Sequence, residues 1–272
     1  MKPPAGVHPD LARAEELARE RGARAVVRLL AETPSTNDEA KRAAREGAPN
    51  LTVFVAETQS AGRGRQGRAW SSPRGENLLF SVLFRLTGPT QRLPLAALAA
   101  GLAVRDVVAR ALPRRAVRVK WPNDVLVARD GDGALGRKVA GVLVESVLSG
   151  AEAVAIVGVG LNVHTRAFPD DLAARATSVA LELDPADAPP DRAALLADAI
   201  AALDRDVPLV VARGLGLVHA RLAEADALRG RPVRSDDGVA GIAEGVDADG
   251  RLLVRGADGV LRRLVAGEVH LV

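Results

Sequence analysis

The chain has 272 residues, 48% of them hydrophobic, which is enough for one large domain and a small one around a substantial core. The 37 lysines and arginines are interspersed with 34 aspartates and glutamates to a formal net charge of +3, so obligate nucleic-acid binding is not implied. Cysteine is absent, which excludes disulfides, thiolate metal sites and thiol nucleophiles and makes a reducing compartment, the cytoplasm, the expected location.

Residues 10–22 form a short charged helix by pattern, with no apolar leader core ahead of them, and residues 25–30 read as an apolar strand. The turn Thr33-Pro34-Ser35-Thr36-Asn37 opens a helix that runs to about Glu46 and is closed by Gly47, with Thr36 and Glu39 at capping-box spacing. A strand at 51–57 leads into Gly62-Arg63-Gly64-Arg65-Gln66-Gly67-Arg68-Ala69-Trp70, and a long apolar strand follows at 77–85. An alanine-rich helix with a buried face spans about 92–112. Short strands at 117–120 and 125–128 flank Trp121-Pro122-Asn123-Asp124, and Asp130-Gly131-Asp132-Gly133 signals a hairpin turn. Strands follow at 138–147 and 153–160, and residues 189–226 are helical in pattern. Beyond Gly230 the style changes to short β-runs at 232–234, 239–246, 252–255, 260–264 and 268–272, the size of an SH3-like barrel. No run approaches the roughly 20 uninterrupted apolar residues of a membrane span, so no membrane partner is expected. The irregular strand-helix-strand-strand order predicts an α+β fold, with a mixed or antiparallel sheet and helices on one side, followed by the small barrel.

The glycine-spaced arginines carry the first chemical signal. Glycine permits close backbone approach and positive φ, and arginine supplies planar bidentate donors for carboxylate or phosphate oxygens. A solvated or RNA-binding arginine segment has the same composition. This one is short, internal and flanked by apolar strands, which favours an active-site lid over a small phosphate-bearing molecule. His8, His164, His219 and His270 are scattered without metal-ligand spacing, so neither zinc chemistry nor a histidine triad is expected.

Polar groups also gather at strand ends in Ser35-Thr36-Asn37, Gln59, Lys120-Trp121-Pro122-Asn123-Asp124, Gly136-Arg137-Lys138-Val139-Ala140-Gly141 and Gly158-Val159-Gly160-Leu161-Asn162. With the arginine loop, these segments resemble, in order, the motifs of biotin-protein ligases: GRGRxGRxW, KWPND, GRKxAG and GxGxN, followed by a small C-terminal β-barrel. The resemblance covers nearly the whole chain. It implies the class II synthetase-like biotin/lipoate ligase fold, with a catalytic biotin- and ATP-binding domain over 1–225 and an SH3-like domain over 226–272. The implied reaction has two steps. Biotin and MgATP give biotinyl-5′-adenylate and diphosphate, and a lysine of the biotin carboxyl carrier protein of acetyl-CoA carboxylase then takes the biotinyl group.

On that resemblance Lys138, Arg65 and Arg63 are the catalytic cations, meeting charge that builds on phosphate oxygens. Biotin contacts fall to Ser35, Thr36, Asn37 and Gln59, with Arg63, Gly64, Arg65, Lys138 and Gly141. Nucleotide contacts fall to Arg63, Arg65, Arg68, Trp70, Lys138 and Asn162. Asn123 and Asp124 join them as polar ligands near Mg²⁺-bound phosphates, or form a plain turn. Ser35 and Thr36 equally suit a helix cap, Lys138 equally suits a solvated surface, and Arg68 equally suits a bridge to loop carboxylates. Trp121 is expected in the core. No protein metal cluster is implied, since Mg²⁺ enters with ATP. Family members that also repress transcription carry a winged helix-turn-helix before the Ser-Thr-Asn turn. Residues 1–34 hold one helix, so the monofunctional type is expected, with no specific nucleic-acid partner. Leu264 stands where some relatives have an aromatic, and Gly267-Glu268 is in its expected place. An exposed sheet edge suits either carrier docking or a homodimer. The alternatives are a lipoate-protein ligase of the same superfamily and, in another class, a nucleic-acid-binding module; octanoyl transferases depend on a cysteine this chain lacks.

Overall fold

Thr52–Ala56 (β2) is buried at every position and Leu78–Leu86 (β3) at its first seven. Strands with no polar face belong in the middle of a sheet covered on both sides. The computed structural model, which describes residues 3–128, 135–149 and 152–272, places them there. A 3₁₀ turn at Pro9–Arg13 runs into α1 (Ala14–Glu20), and β1 (Val26–Leu30) and α2 (Thr36–Arg45) precede β2. After β3 come α3 (Leu95–Ala111), β4 (Ala116–Lys120), β5 (Asp124–Ala128), β6 (Arg137–Ser149) and β7 (Glu152–Leu161). The seven-stranded sheet has the order β1-β2-β3-β7-β6-β5-β4. It is mixed: β1 and β2 pair in parallel, and all its other pairings are antiparallel. The turn signal at Asp130–Gly133 lies outside the described residues.

The helices lie on both faces, where the sequence suggested one. Val53, Val55, Phe80, Val82, Phe84 and Val157 share a core with α3 and with α6 (Arg192–Arg213), whereas Phe54, Leu83 and Ile156 point the other way against Ala40, Ala43 and Ala44 of α2. The period-2 alternation of the strands thus sends apolar side chains to two cores. The charged sequence of α2 hid this, because the apolar part of its buried face is built only of alanines. The short helices α4 (Asp170–Ala173) and α5 (Val179–Glu182) were not legible in the sequence.

α7 (His219–Ala225) leads to a second sheet, made of β8 (Pro232–Ser235), β9 (Ala240–Val246), β10 (Leu252–Arg255), β11 (Leu261–Leu264) and β12 (Val269–Leu271). Its order is β11-β10-β9-β8-β12, antiparallel throughout. Its buried Val233, Leu252, Val254, Leu264 and Val269 belong to the same apolar cluster as α3 and α6. Trp121 is 3% exposed at that joint, and its Nε1 donates to Gly250 O at 3.0 Å. Among the described residues no helix is long and apolar enough to cross a membrane.

Candidate active site

The N-terminus of α2 rests over the middle of the large sheet, and its polar side chains meet those of β3 and β6 there. Ser35, Thr36, Asn37 and Ser81 are all buried. Gln59 Oε1 accepts from Thr36 N at 2.7 Å and from Thr36 Oγ1 at 3.1 Å. The Ser81 hydroxyl lies 2.7 Å from Thr36 Oγ1 and 2.6 Å from Asn37 Oδ1, and Asn37 Nδ2 donates to Glu145 Oε2 at 2.7 Å. The expected Thr36–Glu39 capping box is not formed. Ser35 is the N-cap residue without a side-chain cap bond, and Glu39 instead accepts from Thr33 Oγ1 at 3.0 Å. Gln59 reaches in from the following segment to take the Thr36 amide, so the helix start is capped from outside.

Carboxylates surround this network. Lys41 Nζ lies 2.8 Å from both Asp38 Oδ1 and Glu145 Oε1. Burial works against ionised Glu145, but hydrogen bonds from Lys41 and Asn37 and the charges of Lys41 and Arg63 outweigh it and hold its carboxyl below the usual range. The Arg63 guanidinium lowers Asp38 strongly, with Lys41 adding to it against burial. Gly158 of β7 is required beneath: a Cβ there would lie 2.2 Å from Asn37 Oδ1.

The arginine loop is a tight hairpin. Trp70 N donates to Gly62 O at 2.9 Å and Gly64 N to Arg68 O at 2.7 Å, with Gln66 at φ 54° and Gly67 at φ 72° turning the chain between them. The three arginines point to different elements. Arg63 forms a bidentate pair with Asp38 at 2.8 and 2.6 Å, Arg65 reaches Asn123 Oδ1 at 3.3 Å, and Arg68 meets Glu268 of the second sheet at 2.6 Å. A Cβ at Gly62 would lie 2.5 Å from Trp70 O, so the hairpin's base admits only glycine without a shift.

Trp70 then lies across β6 and β7 where two glycines make room. A Cβ at Gly160 would be 2.3 Å from Trp70 Cε2, and one at Gly141 would be 3.1 Å from both Trp70 Cζ3 and Lys138 Nζ. Lys138 Nζ stands 5.4 Å from the indole centroid and 2.7 Å from Asp124 Oδ1. The Trp70 Nε1 is buried and has no hydrogen-bond partner among the described residues. Asn123 is locked by its own strand pair, Nδ2 donating to Val142 O at 2.8 Å. Asn162 donates from Nδ2 to Thr177 O at 3.0 Å, tying β7 to the segment before α5.

Gln59, Thr36, Asn37, the arginine loop, Trp70, Lys138, Asp124, Gly141 and the glycines of β7 therefore converge, as their motifs suggested. Two neighbours were missed. Ser81 is the one polar residue in the apolar run Leu78–Phe84, a signal the sequence did carry. Glu145 had none. Lys120, the first residue of the Lys120–Asp124 segment, joins them. Burial pushes the Lys120 amine down, with Lys138 and Arg68 adding to this while Asp124 and Glu268 oppose it, so Lys120 belongs to the same charged group.

Residues 29–162 match the model of the Biotin/lipoate A/B protein ligase family, and residues 230–272 match the Biotin protein ligase C terminal domain. The Biotin--[acetyl-CoA-carboxylase] ligase of Paracoccus denitrificans is 36% identical over 241 residues, spanning 85% of this chain and 95% of that protein. The chain belongs to the biotin protein ligase family. The Bifunctional ligase/repressor BirA of Salmonella typhimurium is also 36% identical, over 222 residues, and the match spans 80% of this ligase-family chain but 65% of that longer protein. Among solved structures, the biotin protein ligase from Aquifex aeolicus in complex with biotin and ATP superposes with a TM-score of 0.73 at 25% identity, covering 90% of this chain and 99% of that one. The biotin protein ligase from Leishmania major in complex with biotinyl-5-AMP gives 0.57 at 26% identity.

Proposed function

We propose that the protein is an ATP- and Mg²⁺-dependent biotin-protein ligase, which makes biotinyl-5′-adenylate and transfers its acyl group to a lysine of biotin carboxyl carrier protein. The observation that carries this reading is the convergence of the arginine hairpin, Trp70 and Lys138 over the small residues of β6 and β7, next to a buried polar cluster at the start of α2. Biotin is an apolar bicycle with one ureido group and a charged tail. Thr36, Asn37, Gln59 and Ser81 offer fixed donors and acceptors for the ureido end, and the valerate tail would run along the Gly158–Gly160 side of β7 towards Lys138.

In the first step a carboxylate oxygen of biotin attacks the α-phosphorus of ATP and diphosphate leaves. Lys138, released from Asp124, meets both the carboxylate and the α-phosphate oxygens, so two like charges approach each other across one cation. Arg65 has a single 3.3 Å bond to an amide oxygen, while Arg63 is held bidentately, so Arg65 is the more readily redirected guanidinium. Trp70 excludes water from the reacting carboxyl and has an indole N–H to offer the ligand. In the second step the carrier's lysine amine forms a C–N bond at the acyl carbon, the C–O bond to phosphate breaks, and AMP departs with its electron pair.

The chain's own donors suit Mg²⁺ that enters on the triphosphate. Asp124 is a carboxylate beside Lys138 able to give one oxygen, consistent with an ion that keeps most of its waters and phosphate ligands. Among the described residues the one group of three potential metal-ligating side chains is Asp236, Glu268 and His270 on the second sheet, and Glu268 is paired with Arg68. We assign biotin and ATP binding to residues 1–225, with residues 226–272 closing the site through Glu268. A cytoplasmic location follows from the carrier, and a homodimer through a sheet edge is compatible with it.

Lipoate activation is the second reading, and the buried cluster argues for biotin, because lipoate's ring carries no hydrogen-bonding group to match Thr36, Asn37 and Ser81. Diphosphate exchange into ATP, measured separately with biotin, lipoate and no acid, tests the assignment. Exchange with biotin alone is expected, followed by labelling of a carrier domain. No exchange by a folded protein sinks the ligase reading, and exchange with lipoate in preference to biotin reverses the substrate.

A further inference from the structure

The segment carrying the arginine hairpin leaves the large sheet just after β2 and returns just before β3. One side chain from outside that segment touches both points. Arg192, the first residue of α6, is 1% exposed. Its Nε and Nη2 donate to the two oxygens of Asp10 at 2.8 Å each. Nη1 and Nη2 donate to Glu57 at 2.8 and 3.2 Å, and Nη1 also donates to Asn77 O at 3.1 Å. A guanidinium has five N–H donors, so this one is fully used. Glu57 and Asn77 are the feet of the 58–76 excursion, and both are buried.

These contacts pass directly into the excursion. Glu57 O accepts from Gly75 N at 3.3 Å, and Asn77 Nδ2 donates to Ser72 Oγ at 2.8 Å. Asn77 Oδ1 accepts from Val163 N at 2.8 Å, which fastens the exit foot to the end of β7. Gln59 stands two residues from Glu57 and Trp70 two from Ser72. A shift of either foot therefore moves groups that line the candidate site.

Helix stability does not account for Arg192. The N-terminus of α6 is already capped by Asp191, whose Oδ1 accepts from Ala193 N at 2.7 Å and Ala194 N at 3.4 Å. A cation in the first turn opposes the helix dipole, and a buried ion cluster is commonly matched or bettered in stability by apolar residues of similar volume. What the cluster supplies, and apolar packing would not, is a planar group holding two strand ends at fixed spacing and angle. We propose that Arg192 is a positioning residue for the arginine hairpin, acting through Glu57 and Asn77, with Asp10 coupling the N-terminal 3₁₀ turn to the same clamp. What the hairpin holds rests on the ligase reading; the clamp itself does not.

The test neutralises the cluster without stranding a charge, in the triple variant Asp10→Asn, Glu57→Gln, Arg192→Met. Tryptic cleavage after Arg63, Arg65 and Arg68 is followed by mass spectrometry well below the melting temperature, alongside the KM for ATP and kcat in biotin-dependent diphosphate exchange. The proposal expects a melting temperature close to wild type, hairpin cleavage faster by roughly tenfold or more, and a rise of similar size in the ATP KM, as small misplacements of a binding group produce. A lowered melting temperature with wild-type hairpin cleavage and wild-type KM would make the cluster purely structural and overturn the proposal, as would no change at all. If the triple variant does not fold, the same measurements are made on Glu57→Gln, which keeps the side-chain shape and an acceptor oxygen: faster hairpin cleavage with a raised KM supports the clamp, and wild-type values of both overturn it. Should wild type show no biotin-dependent exchange, the ligase reading fails, and hairpin cleavage alone decides the clamp.

Discussion

Lys138 sits where several arguments about single side chains meet. Its ammonium is 2.7 Å from Asp124 and 5.4 Å from the Trp70 ring, and its side chain is 34% exposed. Those contacts hold the cation near the strands without burying it, so it is free to exchange Asp124 for a ligand anion. Lys138→Ala is expected to lower the melting temperature only slightly, because a part-exposed ion pair contributes at most about 1 kcal/mol. Adenylation, read as diphosphate exchange, should fall about 10²- to 10³-fold, the usual loss for one preorganised group meeting transition-state charge. Activity within a few-fold of wild type would return Lys138 to the surface. The glycines obey a stricter constraint, since Gly158 and Gly160 are defined by what a Cβ would hit: Asn37 Oδ1 at 2.2 Å and the Trp70 ring at 2.3 Å.

At the scale of elements, α2 is fastened to β6 by charge, as it is to β2, β3 and β7 by its alanine stripe. Asn37 and Lys41 both reach Glu145, and Lys41 and Arg63 share Asp38. Glu145 ionises more readily in the folded chain than at its ordinary 4.5, so its pairing adds stability above that pH and loses it as the pH falls through the depressed folded value. Glu145→Gln should therefore lower the melting temperature at pH 7, by an amount equivalent to at most about 1 kcal/mol for a part-exposed pair. The gap should close as the pH falls through that depressed value and both states become protonated. A gap that stays constant across this range would mean that Glu145 acts through shape and hydrogen bonding rather than charge.

The same elements show what the sequence could and could not reveal. Runs such as Leu78–Phe84 announce central strands because no polar face interrupts them, and the order of the motifs was enough to group Lys138, Asp124, Trp70 and the glycines. The opposite face occupied by α2 stayed hidden, since three alanines give too small an apolar stripe to advertise a core. Glu145 and Arg192 were illegible for a different reason. Each depends on partners more than 100 residues away, at Asn37 and Glu57, and no local pattern records such a pairing.

For the molecule as a whole, the question is whether the two sheets behave as one body. Apolar packing runs without a break from α6 through Trp121 and Leu95 to Leu252, Val254 and Val269. Polar ties cross the same joint: the Trp121 indole donates to Gly250 O, and Arg68 of the hairpin meets Glu268. Gly250 itself has φ 80°, and a Cβ there would lie 2.6 Å from Leu95 Cδ2, so its turn is fitted against α3. A shared core predicts one cooperative unfolding transition by calorimetry, with matching calorimetric and van't Hoff enthalpies. Trp121→Phe keeps most of the apolar area but leaves the Gly250 carbonyl without its donor, and should cost about 1–3 kcal/mol within a single transition. Trp121→Ala opens the joint and should cost about 3–5 kcal/mol. If Trp121 is what joins the sheets, that variant should also split the transition, the second sheet melting first because its strands are short and its remaining core is small. On the proposed ligase reading, bound biotinyl-adenylate should then be released faster at temperatures between the two transitions, where Glu268 no longer meets Arg68. Two transitions in the wild type would instead mean that the sheets fold independently and that the joint serves only the bound state.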